Sequence, residues 1–237
     1  MFLIADVETN DMPRFNAAAD APGQARVVQF AAILTDADLK PLAELNRIIK
    51  PDGTWTIAPG AFNAHGISFE RCMDEGVPIA TVIEEFDAYS DQAEAVDGTF
   101  VAFNARFDLK LIRGERRRLG RADRFGLLRE FDPMKESTSF CKLPPTPAMV
   151  RAGRNNYKSP KLIEAVEVLC GYKLDGAHDA MADVRGTLDV LRWLRDHGKL
   201  DIRGLKPESI QAGAEKSPAS RAPARERGAP ETEGGLF

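Results

Sequence analysis

Phe2-Leu3-Ile4-Ala5 is a short, wholly apolar run, the pattern of a strand buried on both faces, and it reads as the central strand of a sheet. A loop rich in Asp, Pro, Ala and Gly follows. Val27 to Thr35, apolar and β-branched, predicts a second strand, and Leu45 to Lys50 a third, closed by the Pro51-Asp52-Gly53 turn. Such close connections favour antiparallel pairing. From Pro78 the period changes: Ile79, Val82, Ile83 and Phe86 recur at helical spacing. Phe100 to Phe103 is another short apolar strand. It runs into Phe107, Leu111, Ile112 and Leu119, an amphipathic helix ending at Gly120. Arg129 to Phe131 predicts a brief strand. Leu162, Val166 and Leu169 mark a helix stopped by Gly171, and Val184, Leu188, Leu191 and Leu194 a last one stopped near Gly198. Strands first, then strands alternating with helices, predict an α/β fold with a mixed sheet packed by helices.

From about Lys206 large apolar residues nearly vanish, so burial cannot offset the entropy of ordering. The expected organisation is therefore one domain over residues 1–200 and a disordered tail over 206–237. With 237 residues, 43% of them hydrophobic, there is ample apolar material for one large core. Cys72, Cys141 and Cys170 lack the close paired spacing of zinc ligands or a dithiol motif, so reduced thiols are expected. The apolar run at the start has no basic lead and is broken by Asp6, too early for a signal peptide. No segment reaches membrane-span length, and the expected location is cytoplasmic.

Asp6 and Glu8 are two residues apart at the end of the first strand, so both side chains point to one face. Taken alone, such a pair is more readily a turn or capping device. Asp108 lies in the first turn of the helix that Asn104 leads into, where the helix dipole favours an acid. Asp183 lies in the first turns of the last helix, five residues after His178. If Asp179 caps that helix, His178 stays in the entering loop, free to lean over Asp183. Together the acids fit two-metal phosphodiester cleavage with Mg²⁺ or Mn²⁺, hard cations that take oxygen ligands, and a neutral imidazole suits a general base.

Three segments carry a family resemblance: Asp6-Val7-Glu8-Thr9, Asn104 through Asp108 in Val-Ala-Phe-Asn-Ala-Arg-Phe-Asp, and Ala177-His178-Asp179-Ala180 through Asp183. They resemble the three exonuclease motifs of the DEDDh group of 3′→5′ exonucleases, which includes the epsilon proofreading subunit of bacterial DNA polymerase III and ribonuclease T. The resemblance spans roughly residues 1–197 and implies a ribonuclease-H-like fold, two divalent ions and release of mononucleotides from nucleic-acid 3′ ends. It implies that Asp6, Glu8 and Asp183 hold the nucleophile-side ion, that Asp6 and Asp108 hold the other, and that His178 is the base. It places Thr9 and Asn10 against the terminal nucleotide, Asn104 as structural or strand-contacting, and His65, with Phe62, along the terminal-base pocket. Two positions depart from the pattern. Asp11 stands where many relatives carry Gly, and Pro133 follows Asp132 where Thr is frequent.

DNA is the expected substrate, for a free-standing enzyme or a proofreading partner of a polymerase. An RNA-trimming enzyme is the close alternative, and a catalytically inactive binding module is another, against which all five catalytic positions being filled argues. The net charge of −4 is weak evidence against nucleic acid, because a local basic rim suffices. Two clusters offer such a rim. Arg113, Arg116, Arg117, Arg118, Arg121 and Arg124 are read as a solvated helix face, whereas Arg151, Arg154, Lys158 and Lys161, in the long polar stretch from Lys142 to Pro160, suit substrate gripping better. The final Glu-Gly-Gly-Leu-Phe loosely resembles the Leu-Phe ending of sliding-clamp peptides but lacks their usual Gln, so an inert linker is preferred to clamp docking through Leu236 and Phe237.

Overall fold

A computed structural model describes residues 1–123 and 126–197. Arg124, the expected helix stop at Gly198 and every expectation for the tail lie outside them.

The central strand β1, Phe2–Thr9, pairs antiparallel with β2, Val27–Thr35, which pairs antiparallel with β3, Pro41–Ile48. On its other edge β1 runs parallel to β4, Thr99–Val101, and β4 to β5, Arg129–Phe131, giving the order β3-β2-β1-β4-β5. The mixed sheet and flanking helices are the ribonuclease-H-like α/β fold that was expected. The third strand starts earlier than its composition suggests, because β2 is long enough to carry the pairing out to Thr35↔Pro41.

Alternation along β1 splits the core into two layers. Leu3, Ala5 and Val7 face the side occupied by α3, Ile79–Glu94, and α4, Arg106–Arg118. Phe2 and Ile4 face α5, Pro133–Cys141, and α8, Ala180–Asp196. Each helix thus covers one apolar face, the dominant source of stability in such a sandwich. Four helices were not foreseen: α1, Pro59–His65, α2, Phe69–Glu75, α5, and α6, Pro147–Arg151. α1, α2 and α6 are seven, seven and five residues long, too short for an apolar period to show. Pro133 is the first residue of α5 and Asp132 its cap, accepting from the Met134 N–H at 3.1 Å, so this departure from the family pattern is a helix start. The helix expected over 162–169 is α7, Leu162–Ala165, for one turn and then widens to a π-helix, Val166–Cys170, closed by Gly171 N–H to Val166 O at 3.2 Å.

The described members of the first arginine cluster are ion-paired rather than simply solvated, although Arg117 keeps 47% of its side chain exposed. The Arg116 side chain is 3% exposed and pairs with Asp87, which also takes Arg121, while Arg113 spans Asp123 and Glu130 and Arg117 reaches Asp20. These cations hold α4 to its neighbours. In the second cluster Lys158 is paired with Glu164 at 2.5 Å, whereas Arg151 and Arg154 are exposed. Among the described residues no helix is long and apolar enough to cross a membrane.

Candidate active site

Strand alternation puts Asp6 and Glu8 on the α8 side of β1, past the last residue that pairs with β4, which is Ile4. Beyond that point β4 offers β1 no further partner. Asp108, in the first turn of α4, takes over: its Oδ1 accepts the Val7 N–H at 3.1 Å. Asp108 is 2% exposed, so a carboxylate is buried against the strand between the two other acids.

The third segment comes in through the start of α8. Asp179 caps the helix, accepting from the Ala182 N–H at 3.1 Å, and His178 stands just before it, as its position in the sequence suggests. His178 adopts a left-handed backbone with φ of 71°, unusual outside glycine, and its N–H points to Asp183 Oδ2 at 3.4 Å. Ligand atoms of Glu8, His178 and Asp183 consequently lie within 4.8 Å of one another.

Gln29 makes this docking possible, and nothing in the motifs points to it. From β2 its Nε2 donates to Asp179 Oδ2 at 2.9 Å and to Asn46 Oδ1 at 3.0 Å, while its Oε1 accepts the Ala180 N–H at 3.1 Å. One amide therefore ties the helix start to the sheet. The visible signal is a lone amide in a wholly buried strand that is apolar from Phe30 to Leu34. Gln29→Ala is expected to weaken Mn²⁺ binding, as read by titration calorimetry, because the start of α8 that carries Asp183 loses its tie to the sheet.

Crowded acids in a desolvated place resist ionisation. Burial, reinforced by Asp108, Asp183, Glu8 and Asp179, holds the Asp6 carboxyl well above its usual range. Burial and then the charges of Asp183, Asp108 and Asp179 push Glu8 to about 8. Burial also raises Asp108, opposed by the Val7 hydrogen bond and supported by Asp132 and Asp183. Asp183 is raised to about 6, by burial first, with His178 pulling the other way. The Asp183 Oδ1 is buried and has no hydrogen-bond partner among the described residues. Hard oxygen donors, one imidazole and an orphaned buried carboxylate oxygen fit a divalent cation.

The remaining expected residues surround the end of β1. Asn10 is buried and occupied at both polar atoms, donating to Thr56 O at 2.8 Å and accepting from Arg26 N at 2.7 Å, so its side chain staples the strand end. Thr9 Oγ1 donates to Asp11 O at 2.9 Å. His65 Nδ1 accepts the Ile67 N–H at 3.0 Å, which leaves Nε2 to donate to Thr9 O at 3.2 Å and so fixes a neutral tautomer. Burial depresses its pKa further, the Thr9 bond opposes this, and His178 adds to the depression. Phe62, on the same helix as His65, is 44% exposed. Asn104 is exposed, with φ of 69°, and its N–H donates to Asp132 Oδ1 at 2.9 Å.

Asp6 and Glu8 at the end of the central strand are thus joined by Asp108 from the start of α4 and by His178 and Asp183 from the start of α8. The exonuclease family model matches residues 3–191, and the chain belongs to the exonuclease family. Comparison with curated proteins returns no match.

Among solved structures the fold is similar to that of exonuclease I. The Escherichia coli complex with single-stranded DNA and zinc shares 19% identity at a TM-score of 0.62, over 83% of this chain and 40% of that one. The E. coli complex with a dA16 oligonucleotide shares 21% at 0.63, over 82% and 40%. Exonuclease I from Methylocaldum szegediense shares 23% at 0.61, over 89% and 42%. This chain thus spans about two-fifths of the length of those proteins.

Proposed function

We propose that this protein is a metal-dependent 3′→5′ exonuclease acting on DNA, with His178 as its general base. The observation that carries the reading is the convergence of Glu8, Asp183 and His178 within 4.8 Å beside the buried, unpartnered Asp183 oxygen. Asp6, Glu8 and Asp183 would hold one Mg²⁺ or Mn²⁺ ion, and Asp6 and Asp108 a second. When bound, such ions make water more acidic and offset charge that builds on the scissile phosphate.

The residues of the chain supply the rest. His178 is exposed and stands outside the helix, so its ring accepts a proton at the site and exchanges it with solvent. The Val7 hydrogen bond holds Asp108 in one orientation, and the Gln29–Asp179 bond does the same for the start of α8. Thr9, backed by Asn10 and His65, faces the terminal nucleotide, with Phe62 along its base and Asn104 on the strand. The DNA assignment draws support from the single-stranded DNA bound in the E. coli exonuclease I complexes.

A panel of matched DNA and RNA oligonucleotides, single- and double-stranded and blocked or free at the 3′ end, tests the proposal. Stepwise loss of mononucleotides from free 3′ ends, faster on DNA, is expected. Faster release from RNA would reassign the enzyme to RNA trimming, and no release from any 3′ end with Mg²⁺ or Mn²⁺ would refute the activity.

A further inference from the structure

The chain leaving β1 crosses α4 before it returns to β2, and it is tied down along the way. Gly114 of α4 lies under the Ala19 carbonyl, which would stand 2.3 Å from any Cβ placed there. Lys110 Nζ donates to Ala17 O at 2.5 Å and Arg118 to Ala19 O at 3.4 Å. Gln24 closes the loop on itself, accepting from Arg14 N at 2.8 Å and donating to Arg14 O at 3.0 Å and Ala18 O at 3.1 Å. These contacts fix Phe15 in place although it is 39% exposed. Its ring packs against Phe107 at 6.3 Å between centroids, and the Arg106 guanidinium lies over its face, 5.0 Å from the centre.

Phe15 and Arg106 line a groove of about 560 Å³ that also includes Lys135 and Asp132. Asp132 holds the Asn104 N–H, and Ala105 and Leu109 of the groove flank Asp108 in the first turn of α4, so the groove opens beside that carboxylate. Its lining carries four cations, Arg106, Lys110, Arg113 and Lys135, against three carboxylates, so it is weakly basic. An immobilised aromatic face flanked by a guanidinium suits an unpaired base.

Resting on the exonuclease reading, we propose that the Phe15–Arg106 platform binds single-stranded nucleic acid on the 5′ side of the scissile bond. A base stacks on the Phe15–Arg106 pair, and Lys135, exposed and only loosely paired with Asp132 at 3.7 Å, faces the phosphate that follows.

Steady-state kinetics on oligo-dT of two to eight nucleotides test this, with Mn²⁺ present. For the wild type, KM is expected to fall with length. Phe15→Ala should remove that fall, raising KM for the eight-mer about 5- to 100-fold, the range of one lost base–aromatic stack, and Phe15→Trp should restore it. A variant that keeps the full fall, or a wild type with none, overturns the inference. An equal rise in KM on a blunt duplex overturns the single-strand assignment. The underlying reading is checked separately with p-nitrophenyl thymidine 5′-phosphate, a diester with no nucleotide 5′ of the bond: if the wild type does not cleave it or any oligomer, the exonuclease reading itself fails.

Discussion

Asp183→Asn is expected to reduce nucleotide release by about 10³-fold or more while making the metal-free protein slightly more resistant to heat. The two effects have one cause. Asp183 is raised to about 6 because burial penalises its charge, and its Oδ1 has no hydrogen-bond partner among the described residues. Asn keeps the shape and an oxygen for the His178 N–H but removes the buried charge, so folding gains what catalysis loses. His178→Ala should cost about 10²- to 10⁴-fold in rate, the usual worth of a general base, with little change in stability because the ring is exposed. Rates on a 3′-labelled oligonucleotide and thermal scans in EDTA check both. Wild-type turnover in either variant would sink the assigned roles.

The second large effect is on stability as a function of pH and metal. Glu8 has its pKa raised from 4.5 to about 8, and Asp6, Asp108 and Asp183 are raised as well. Between those limits the folded protein holds protons that the unfolded chain has released. Stability is therefore highest below about pH 4.5 for the Glu8 contribution and is lost as pH climbs through about 8, by an amount on the order of a few kcal/mol. Divalent ions held at the proposed site would favour its ionised form and reverse the loss. At about 100 times its dissociation constant an ion adds about 2.7 kcal/mol. The melting temperature should rise by several degrees with Mn²⁺ at pH 8 and by clearly less at pH 6. Equal shifts at both pH values, or none, would contradict a carboxylate metal site.

Much of the site is legible in the chain because its signals are local. The apolar run before Asp6, the period-two spacing of Asp6 and Glu8, and Asp179 as a cap that leaves His178 outside the helix each depend on a few neighbouring residues. Gln29 is different: a single amide in β2 meets Asp179, 150 residues away, and no local rule announces that pairing. Arg26 and Glu115 likewise form a buried pair at 2.7 Å across 89 residues, and the arginines of α4 look solvent-facing until Asp87 and Glu130 are brought to them.

What the sequence by itself determined is the identity of the acids, their order, and the strands and long helices that carry them, since propensity and periodicity act within a few residues. Tertiary structure alone decided how close those acids stand and how dry they are. β4 ends at Val101, which leaves the Val7 N–H to Asp108, and Gln29 draws α8 onto the sheet until Asp183 and His178 reach Glu8. The raised pKa values and the unpartnered oxygen follow from that approach, because desolvation and charge repulsion depend on distances through space that sequence separation does not encode.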